Sequence, residues 1–396
     1  MSLLRTLITC LNIACLVSAS PIGDVRHGLG WRAASNLQHA PVTRRDDTVR
    51  FPDIDASFVV GSSESRLADG GTYPRLARLD DGGILAISTL WVSETERALK
   101  ISRSNDEGRT FSPIGEVARG TGNVDNGFLI QLPSGTVLAA FRNHDVSDDG
   151  ILTYFRITVC HSQDGGRSWT FLSQAAEQPA RGAGYNGLWE PFVRIARDGS
   201  IQLTYSGELS QSNQETFRVV SRDEGRTWTA PTNLRLHAED RNFRDGMQGI
   251  VSVRDVESDE DVLVMVFEVR ERDFFYLATV TSHDDGNTWG SREVIYRPNG
   301  RNAGAPQIAS VGNHLAVVFM TDEDTAAGDI AWPNRADIKM IFSTELRDGT
   351  LTWSTDSALL SDSSSYWPGI FQLGTDDVIA VYERANVPLG RRISSA

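Results

Sequence analysis

The chain has 396 residues, 40% of them hydrophobic, with 35 glycines and nine tryptophans. This is a turn-rich globular composition and not a disordered one. A formal net charge of −14 argues against nucleic acid and against anionic membranes as partners, because both are held by basic patches. With no phosphate-binding glycine loop and no Cys/His zinc spacing in the sequence, neither a cofactor nor a metal is expected.

Taken from the N-terminus, Arg5 precedes an apolar run from Leu7 to Val17, and Val17-Ser18-Ala19 offers small residues for cleavage. The run is too short to span a bilayer and reads as a secretory signal peptide over residues 1–20. Residues 21–45 are polar and irregular and end in Arg44-Arg45. They fit a propeptide with a dibasic processing site and a solvated linker equally well. Residues 46–396 are expected to be the folded, extracellular domain. Cys10 and Cys15 fall in the signal segment, which leaves Cys160 alone, a small buried hydrophobe in a domain with no internal disulfide.

One pattern, Ser-x-Asp-x-Gly-x-x-aromatic, recurs at Ser104–Phe111, Ser162–Trp169, Ser221–Trp228 and Ser282–Trp289. The copies start 58, 59 and 61 positions apart, and a degenerate one follows from Ser343. A period of this size marks an array of one supersecondary unit. Each box reads as a tight turn between strands, with Ser and Asp bonding backbone groups and Gly allowing a positive φ. Carbohydrate or metal binding at each box is the other reading, but the acidic group is spent on the turn itself.

Between the boxes lie six pairs of apolar runs, each pair divided by a turn: 72–87, 125–141, 189–205, 244–267, 304–319 and 366–382. Short Val/Ile/Leu-rich runs bounded by turn residues predict buried strands. Six antiparallel sheets at this period predict an all-β chain, a six-bladed β-propeller. The sixth unit lacks a box, so residues 50–61 are expected to supply its outer strand, closing the ring and covering the sheet edge. A closed ring requires no partner, and a monomer is expected.

Carboxylates that interrupt apolar runs are the candidates for chemistry. Glu190 stands at the start of the third unit's inner strand, Glu208 just after its second strand, and Glu268 at the end of the fourth unit's second run. Two carboxyls facing each other across a pocket are the equipment of glycosidic bond cleavage. Tyr73, Trp189, Tyr366 and Trp367 would give flat faces for sugar rings at the same mouth. The run Asp322-Glu323-Asp324 fits a cation site, or more simply a solvated loop.

The boxes are the Asp-box repeats of the sialidase superfamily. The strings YPRLARLDDGGIL, AAFRNHD, WEPF, RDGMQG, VFE and FMTDED together resemble fungal exo-α-1,5-L-arabinanases of glycoside hydrolase family 93, over residues 48 to 390. That resemblance implies a secreted six-bladed propeller that hydrolyses α-1,5-linked L-arabinan from the non-reducing end and releases arabinobiose with retained configuration. It places the catalytic glutamates at Glu190 and Glu268, in consecutive blades; Glu190 as acid/base and Glu268 as nucleophile is the preferred assignment, and the sequence leaves the reverse open. Their separation of 78 residues is longer than the family pattern, and the acidic insert Val256–Asp261 accounts for the excess. Tyr366 matches a tyrosine beside the catalytic pair. Arg142, Asn143, His144, Arg244 and Asp245 are the candidates for sugar hydroxyls, with Arg75, Trp189 and Trp367 completing the expected substrate pocket.

Two rival readings use the same residues. A sialidase needs three arginines for the substrate carboxylate, for which Arg75, Arg244 and Arg301 or Arg384 are the candidates. A non-catalytic carbohydrate-binding propeller needs the boxes and the core, but has no reason to oppose two glutamates.

Overall fold

The computed structural model describes residues 46–181, 185–326, 332–362 and 364–396. The signal segment and the propeptide or linker lie outside them. The described residues contain strands and turns, with no helix. Two strands, β1 (Asp47–Phe51) and β2 (Ala56–Arg66), precede the repeats. Repeat I holds β3 (Thr72–Arg78), β4 (Ile84–Trp91), β5 (Arg97–Ser104) and β6 (Ser112–Gly120). Repeat II holds β7 (Asn123–Gln131), β8 (Val137–Val146), β9 (Leu152–Ser162) and β10 (Thr170–Pro179). Repeat III follows with β11 (Leu188–Ile195), β12 (Ile201–Glu208), β13 (Gln214–Ser221) and the short β14 (Thr232–Asn233). Repeat IV has β15 (Arg244–Arg254), β16 (Asp261–Arg270), β17 (Phe275–Ser282) and β18 (Gly290–Tyr296). Repeat V has β19 (Ala303–Val311), β20 (His314–Thr321), β21 (Asp337–Phe342) and β22 (Ala358–Ser361). The last repeat has β23 (Ser365–Gln372), β24 (Asp377–Arg384) and β25 (Val387–Ser395).

Within each repeat, consecutive strands pair antiparallel. The all-β expectation therefore holds. Repeat VI takes its fourth strand from the N-terminal side: β2 pairs with β25, and β1 adds a fifth strand beyond it. The strand expected at 50–61 thus lies at 56–66, preceded by a hairpin that the sequence reading missed. First strands touch in the order β3, β7, β11, β15, β19, β23, and β23 touches β3 again. The acidic insert forms the turn between β15 and β16, where Asp255 accepts the amides of Glu257 and Gly349 at 2.9 and 2.6 Å.

Apolar faces of neighbouring repeats make the core. Leu138, Phe155 and Val159 of repeat II pack with Trp189, Val193 and Leu203 of repeat III. Val262, Val264 and Val266 of repeat IV pack with Leu315, Val317 and Phe319 of repeat V. The N-terminal hairpin joins in through Phe58, whose ring stacks on Phe342 at 3.7 Å. Burying such a side chain contributes about 2–3 kcal/mol.

The boxes are turns whose side chains face their own backbone. In the third, Gly225 N donates to Ser221 Oγ at 2.8 Å, and Thr227 gives its amide and hydroxyl to Asp223 at 2.9 and 2.6 Å. Ser104/Asp106 and Ser282/Asp284 repeat these bonds, and Ser162/Asp164 does so with Ser168 in place of threonine. Hydrogen bonds from Thr227 and then its amide hold the Asp223 carboxyl at about 2. The glycine is needed for its φ of 88° at Gly225, which few other residues adopt. Asp223→Ala is expected to lower Tm by about 2 °C, the cost of one turn bond in a chain of this size. Thermal melts beside activity of the folded fraction check this; lost turnover at unchanged Tm would contradict a purely structural box.

Candidate active site

The same irregularity occurs in the first strand of every repeat. Pairing with the second strand slips between Thr72 and Arg75, Asp125 and Phe128, Trp189 and Phe192, Gly246 and Gly249, Gly304 and Gln307, and Tyr366 and Gly369. Inside each bulge one non-glycine residue has positive φ: Tyr73, Asn126, Glu190, Met247, Ala305 and Trp367, between 40° and 53°. Each such conformation costs about 1 kcal/mol or more, and a bulge re-aims the side chain it carries. Glu190 is therefore one of six equivalent positions, turned by a bulge at the start of an inner strand.

Glu268 occupies a second set. The residue before each bulge pairs with Thr89, Arg142, Ser206, Glu268, Met320 and Glu383, respectively. From these second-strand positions a side chain reaches the bulge amide of the next repeat. Ser206 Oγ accepts Met247 N at 3.2 Å, Glu268 Oε2 accepts Ala305 N at 2.7 Å, and Met320 Sδ accepts Trp367 N at 3.2 Å. Arg142 stands at this position toward Glu190. A guanidinium cannot accept that amide, and its charge acts on the Glu190 carboxyl instead. Both glutamates are thus on one rim, at matching heights in consecutive repeats.

Both are buried, and both titrate high. Burial pushes Glu190 up to about 8; Arg142 opposes the rise, the charge of Glu268 adds to it, a Ser206 hydrogen bond lowers it and Glu208 raises it further. Burial pushes Glu268 up to about 7, against the Ala305 amide and the Arg244 charge. Desolvation disfavours the charged form, and the two neighbours' charges reinforce that on Glu190. The outcome is one carboxyl that keeps its proton at neutral pH beside one that is ready to lose it. Gly304 makes this approach possible, since a Cβ there would lie 2.7 Å from Glu268 Oε2 and 3.1 Å from Trp332 Cζ2.

The remaining expected site residues divide. Arg142 is fully buried and gives Nη2 to Asp125 at 3.1 Å. Asp125 is shared with Arg97 and Thr89 at 3.2 and 2.6 Å, so this cluster fixes the guanidinium beside Glu190. Arg244 bonds Glu208 at 2.7 Å and Gln214 at 2.9 Å while lowering Glu268. Glu208 also takes Gly187 N at 3.0 Å, so it is held at the rim as the arginine's partner. Asn143 is half-buried beside Arg142 on β8. Trp367 is half-buried at a bulge position.

Three placements correct the expectation. Trp189 is 2% exposed, packed in the core against His144 and Phe155 at ring distances of 5.2 and 5.9 Å; it offers no face to a sugar. His144 is fully buried and accepts Arg156 N on Nδ1 at 3.1 Å, and burial first, then Arg142, hold it well below the ordinary histidine value. Asp245 is fully buried under a bidentate Arg292 at 2.7 and 2.9 Å. Tyr366 donates its hydroxyl to the Asn334 carbonyl at 2.8 Å. Arg75 is buried near Glu190, whose charge acts on it; it bonds the carbonyls of Pro74 and Trp367 at 2.8 and 3.3 Å, lies over Tyr73 at 3.9 Å, and keeps Nη2 without a hydrogen-bond partner among the described residues.

Two more residues lie near the pair: Trp332, which was not expected, and Tyr73, which was expected as a flat face at the mouth. Trp332, from the long turn of repeat V, meets Glu268 above Gly304; its position is set by an insertion with no periodic signal. Tyr73 lies at the bulge position of repeat I, close enough for the Glu190 charge to act on it. A signal for it was present, since Tyr73-Pro74, Glu190-Pro191, Ala305-Pro306 and Trp367-Pro368 align at one register. The acidic run is not free to hold a cation: Lys339 Nζ lies 2.6 Å from both Glu323 and Asp324, and Asp322 takes Asn302 N at 2.6 Å.

A repeated four-stranded sheet with box turns and a bulged first strand defines the class. A family model described as a BNR repeat-like domain matches residues 117–378, and the chain belongs to that family. No curated protein sequence matches it. Among solved structures it is similar to a GH93 α-L-arabinofuranosidase of Fusarium graminearum in complex with arabinobiose, at 18% identity and a TM-score of 0.64, covering 84% of this chain and 97% of that one. It is similar to an α-L-arabinanase of Penicillium chrysogenum complexed with arabinobiose, at 19% identity and a TM-score of 0.59, covering 83% and 94%. The NanB sialidase of Streptococcus pneumoniae is more distant, at 13% identity and a TM-score of 0.55, covering 83% and 69%.

The elevated carboxyls have a stability cost of definite sign. Glu190 titrates at about 8 when folded, against an ordinary glutamate value of 4.5, so the folded state binds the extra proton between those values and loses stability as pH rises through them. Glu190→Gln is therefore expected to raise Tm by several degrees at pH 8 and much less at pH 5, measured by thermal melts. An equal change at both values would contradict the burial of the charge.

Proposed function

We propose that the chain is a secreted, retaining glycoside hydrolase that cleaves α-1,5-L-arabinan from the non-reducing end and releases arabinobiose. Its six repeats form a six-bladed propeller closed by β2, and it acts as a monomer without cofactor or metal. The observation that carries the reading is the meeting of Glu190 and Glu268 on one rim, each buried and one raising the pKa of the other. Support for the substrate comes from the two fungal arabinan-active neighbours, both solved with arabinobiose.

The environments support one assignment of the roles. Glu268 is kept available as an anion by the Ala305 amide and by Arg244, which suits the nucleophile that attacks the anomeric carbon. Glu190 keeps its proton and delivers it to the leaving glycosidic oxygen. The glycosyl group is then bound to Glu268, and Glu190, now a base, takes a proton from the water that releases it. Trp332 and Trp367 are the flat faces nearest the pair. Arg142 steadies the Glu190 carboxylate after proton transfer.

The sialidase reading has less support. Three of its candidate arginines are committed to protein acceptors: Arg244 to Glu208, Arg384 to Glu64, and Arg301 to the carbonyls of Thr325 and Ala326. Arg75 alone of the candidates keeps a buried guanidinium nitrogen unpaired among the described residues, and one arginine does not make the triad. A non-catalytic propeller would leave the shared elevation of two carboxyls without a use.

With linear arabinan as substrate, kcat/KM is expected to be bell-shaped, falling below about 7 as Glu268 is protonated and above about 8 as Glu190 loses its proton. Glu190→Gln and Glu268→Gln are each expected to lower kcat by at least ~100-fold while remaining folded. A fluorogenic sialoside should not be turned over. Near wild-type kcat in either variant would remove that residue from the mechanism, and turnover of the sialoside alone would overturn the substrate.

A further inference from the structure

Behind Arg244, on the other side of β15, lies a buried charged cluster that hydrolysis does not use. Asp245 takes Arg292 Nη1 and Nη2 at 2.7 and 2.9 Å, and its Oδ2 lies 2.9 Å from His237 Nδ1. His237 Nε2 lies 3.3 Å from Glu215 Oε1. The side chains of Glu215, His237 and Asp245 are 9, 1 and 0% exposed. Phe243 and Phe267 cover the Arg292 guanidinium at 5.2 and 4.8 Å, and Tyr276 on β17 lies beside it. Four segments are thereby tied together: β13 through Glu215, the 234–243 connection through His237, β15 through Asp245, and β18 through Arg292.

Charge balance fixes what the cluster holds. Arg292 neutralises Asp245, so Glu215 needs a proton of its own, because an isolated buried carboxylate is costly. His237 is the group placed to share that charge, its Nε2 3.3 Å from Glu215 Oε1 and its Nδ1 on Asp245. Burial drives Glu215 upward, while Asp245 and Glu215 hold His237 above its ordinary value despite burial.

The location gives the cluster a task. Among the described residues, repeats III and IV are the pair joined in one sheet, through the parallel pairing of Gln214 with Arg244. These are the repeats that carry Glu190 and Glu268. Gln214, next to Glu215, bridges Arg244 Nη2 and the Asp245 carbonyl, each at 2.9 Å. Gly246, next to Asp245, is the pairing partner of Glu268. We propose that His237, clamped by Glu215 and Asp245 and backed by Arg292, is a positioning residue that locks the seam between repeats III and IV and so sets the spacing of the two glutamates. Its kinetic consequence rests on the glycosidase reading; its structural consequence does not.

The test compares wild type with His237→Phe, which keeps the ring volume but not the bonds, and with the milder Glu215→Gln. Hydrogen exchange of peptides spanning 244–250 and 261–270 is followed beside kcat, KM and the pH profile on linear arabinan. Exchange at 244–250 is expected to rise about tenfold or more below the unfolding transition, and kcat to fall about tenfold or more with KM within about threefold. The alkaline limb is expected to move to lower pH, because a wider spacing weakens the push of Glu268 on Glu190. Glu215→Gln should show the same signs, smaller, and decides the matter if His237→Phe does not fold. Unchanged exchange, or a lower Tm with kcat and the alkaline limb unmoved, overturns the proposal. If wild type turns over no arabinan, the hydrolytic reading fails and exchange alone judges the clamp.

Discussion

The site depends on taking two carboxyl groups out of water at one rim. Glu190 and Glu268 are buried where the charged form is disfavoured, and the structure counters this unequally. Glu268 receives a backbone amide and the charge of Arg244, whereas Glu190 has the Arg142 charge but also two carboxylate neighbours. In the proposed mechanism that inequality makes Glu190 the proton donor and Glu268 the anion. It requires two backbone features: a positive φ at Glu190 and a glycine at 304, without which one carboxyl points elsewhere and the other has no room.

The fold assigns opposite chemistry to acidic residues at two places. In the box turns, aspartates in open solvent accept local amides and hydroxyls and titrate well below the ordinary range. At the rim, glutamates inside apolar strands titrate well above it. One side chain class serves as a turn staple or, in the proposed mechanism, as an acid catalyst, according to hydration and local donors. The six bulges use a single backbone device; repeat III places a carboxyl on it, and repeat IV places one that catches the next bulge amide.

Much of this was legible in the sequence. The box period, the paired apolar runs and the interruption of those runs by Glu190 and Glu268 all follow from side-chain chemistry along the chain. The direction of individual side chains did not. In WEPF the bulge at Glu190 sends Trp189 into the core, and in RDGMQG the strand alternation sends Arg244 and Asp245 to opposite faces. A string match cannot separate such neighbours, so Trp189, His144 and Asp245 were placed in the substrate pocket and belong to packing. Trp332 was missed because it sits in an irregular insertion, and the His237 cluster because its four members are spread from residue 215 to residue 292 with no shared motif.

The central claim is that Glu268 attacks the sugar while Glu190 handles the proton. It is tested most directly by trapping the covalent intermediate with a 2-deoxy-2-fluoro arabinosyl substrate and locating the label by peptide mass spectrometry. The account predicts stoichiometric labelling at Glu268, within the strand from Asp261 to Arg270, and release on prolonged incubation. A label on Glu190, or turnover with inverted product configuration and no adduct, would contradict it.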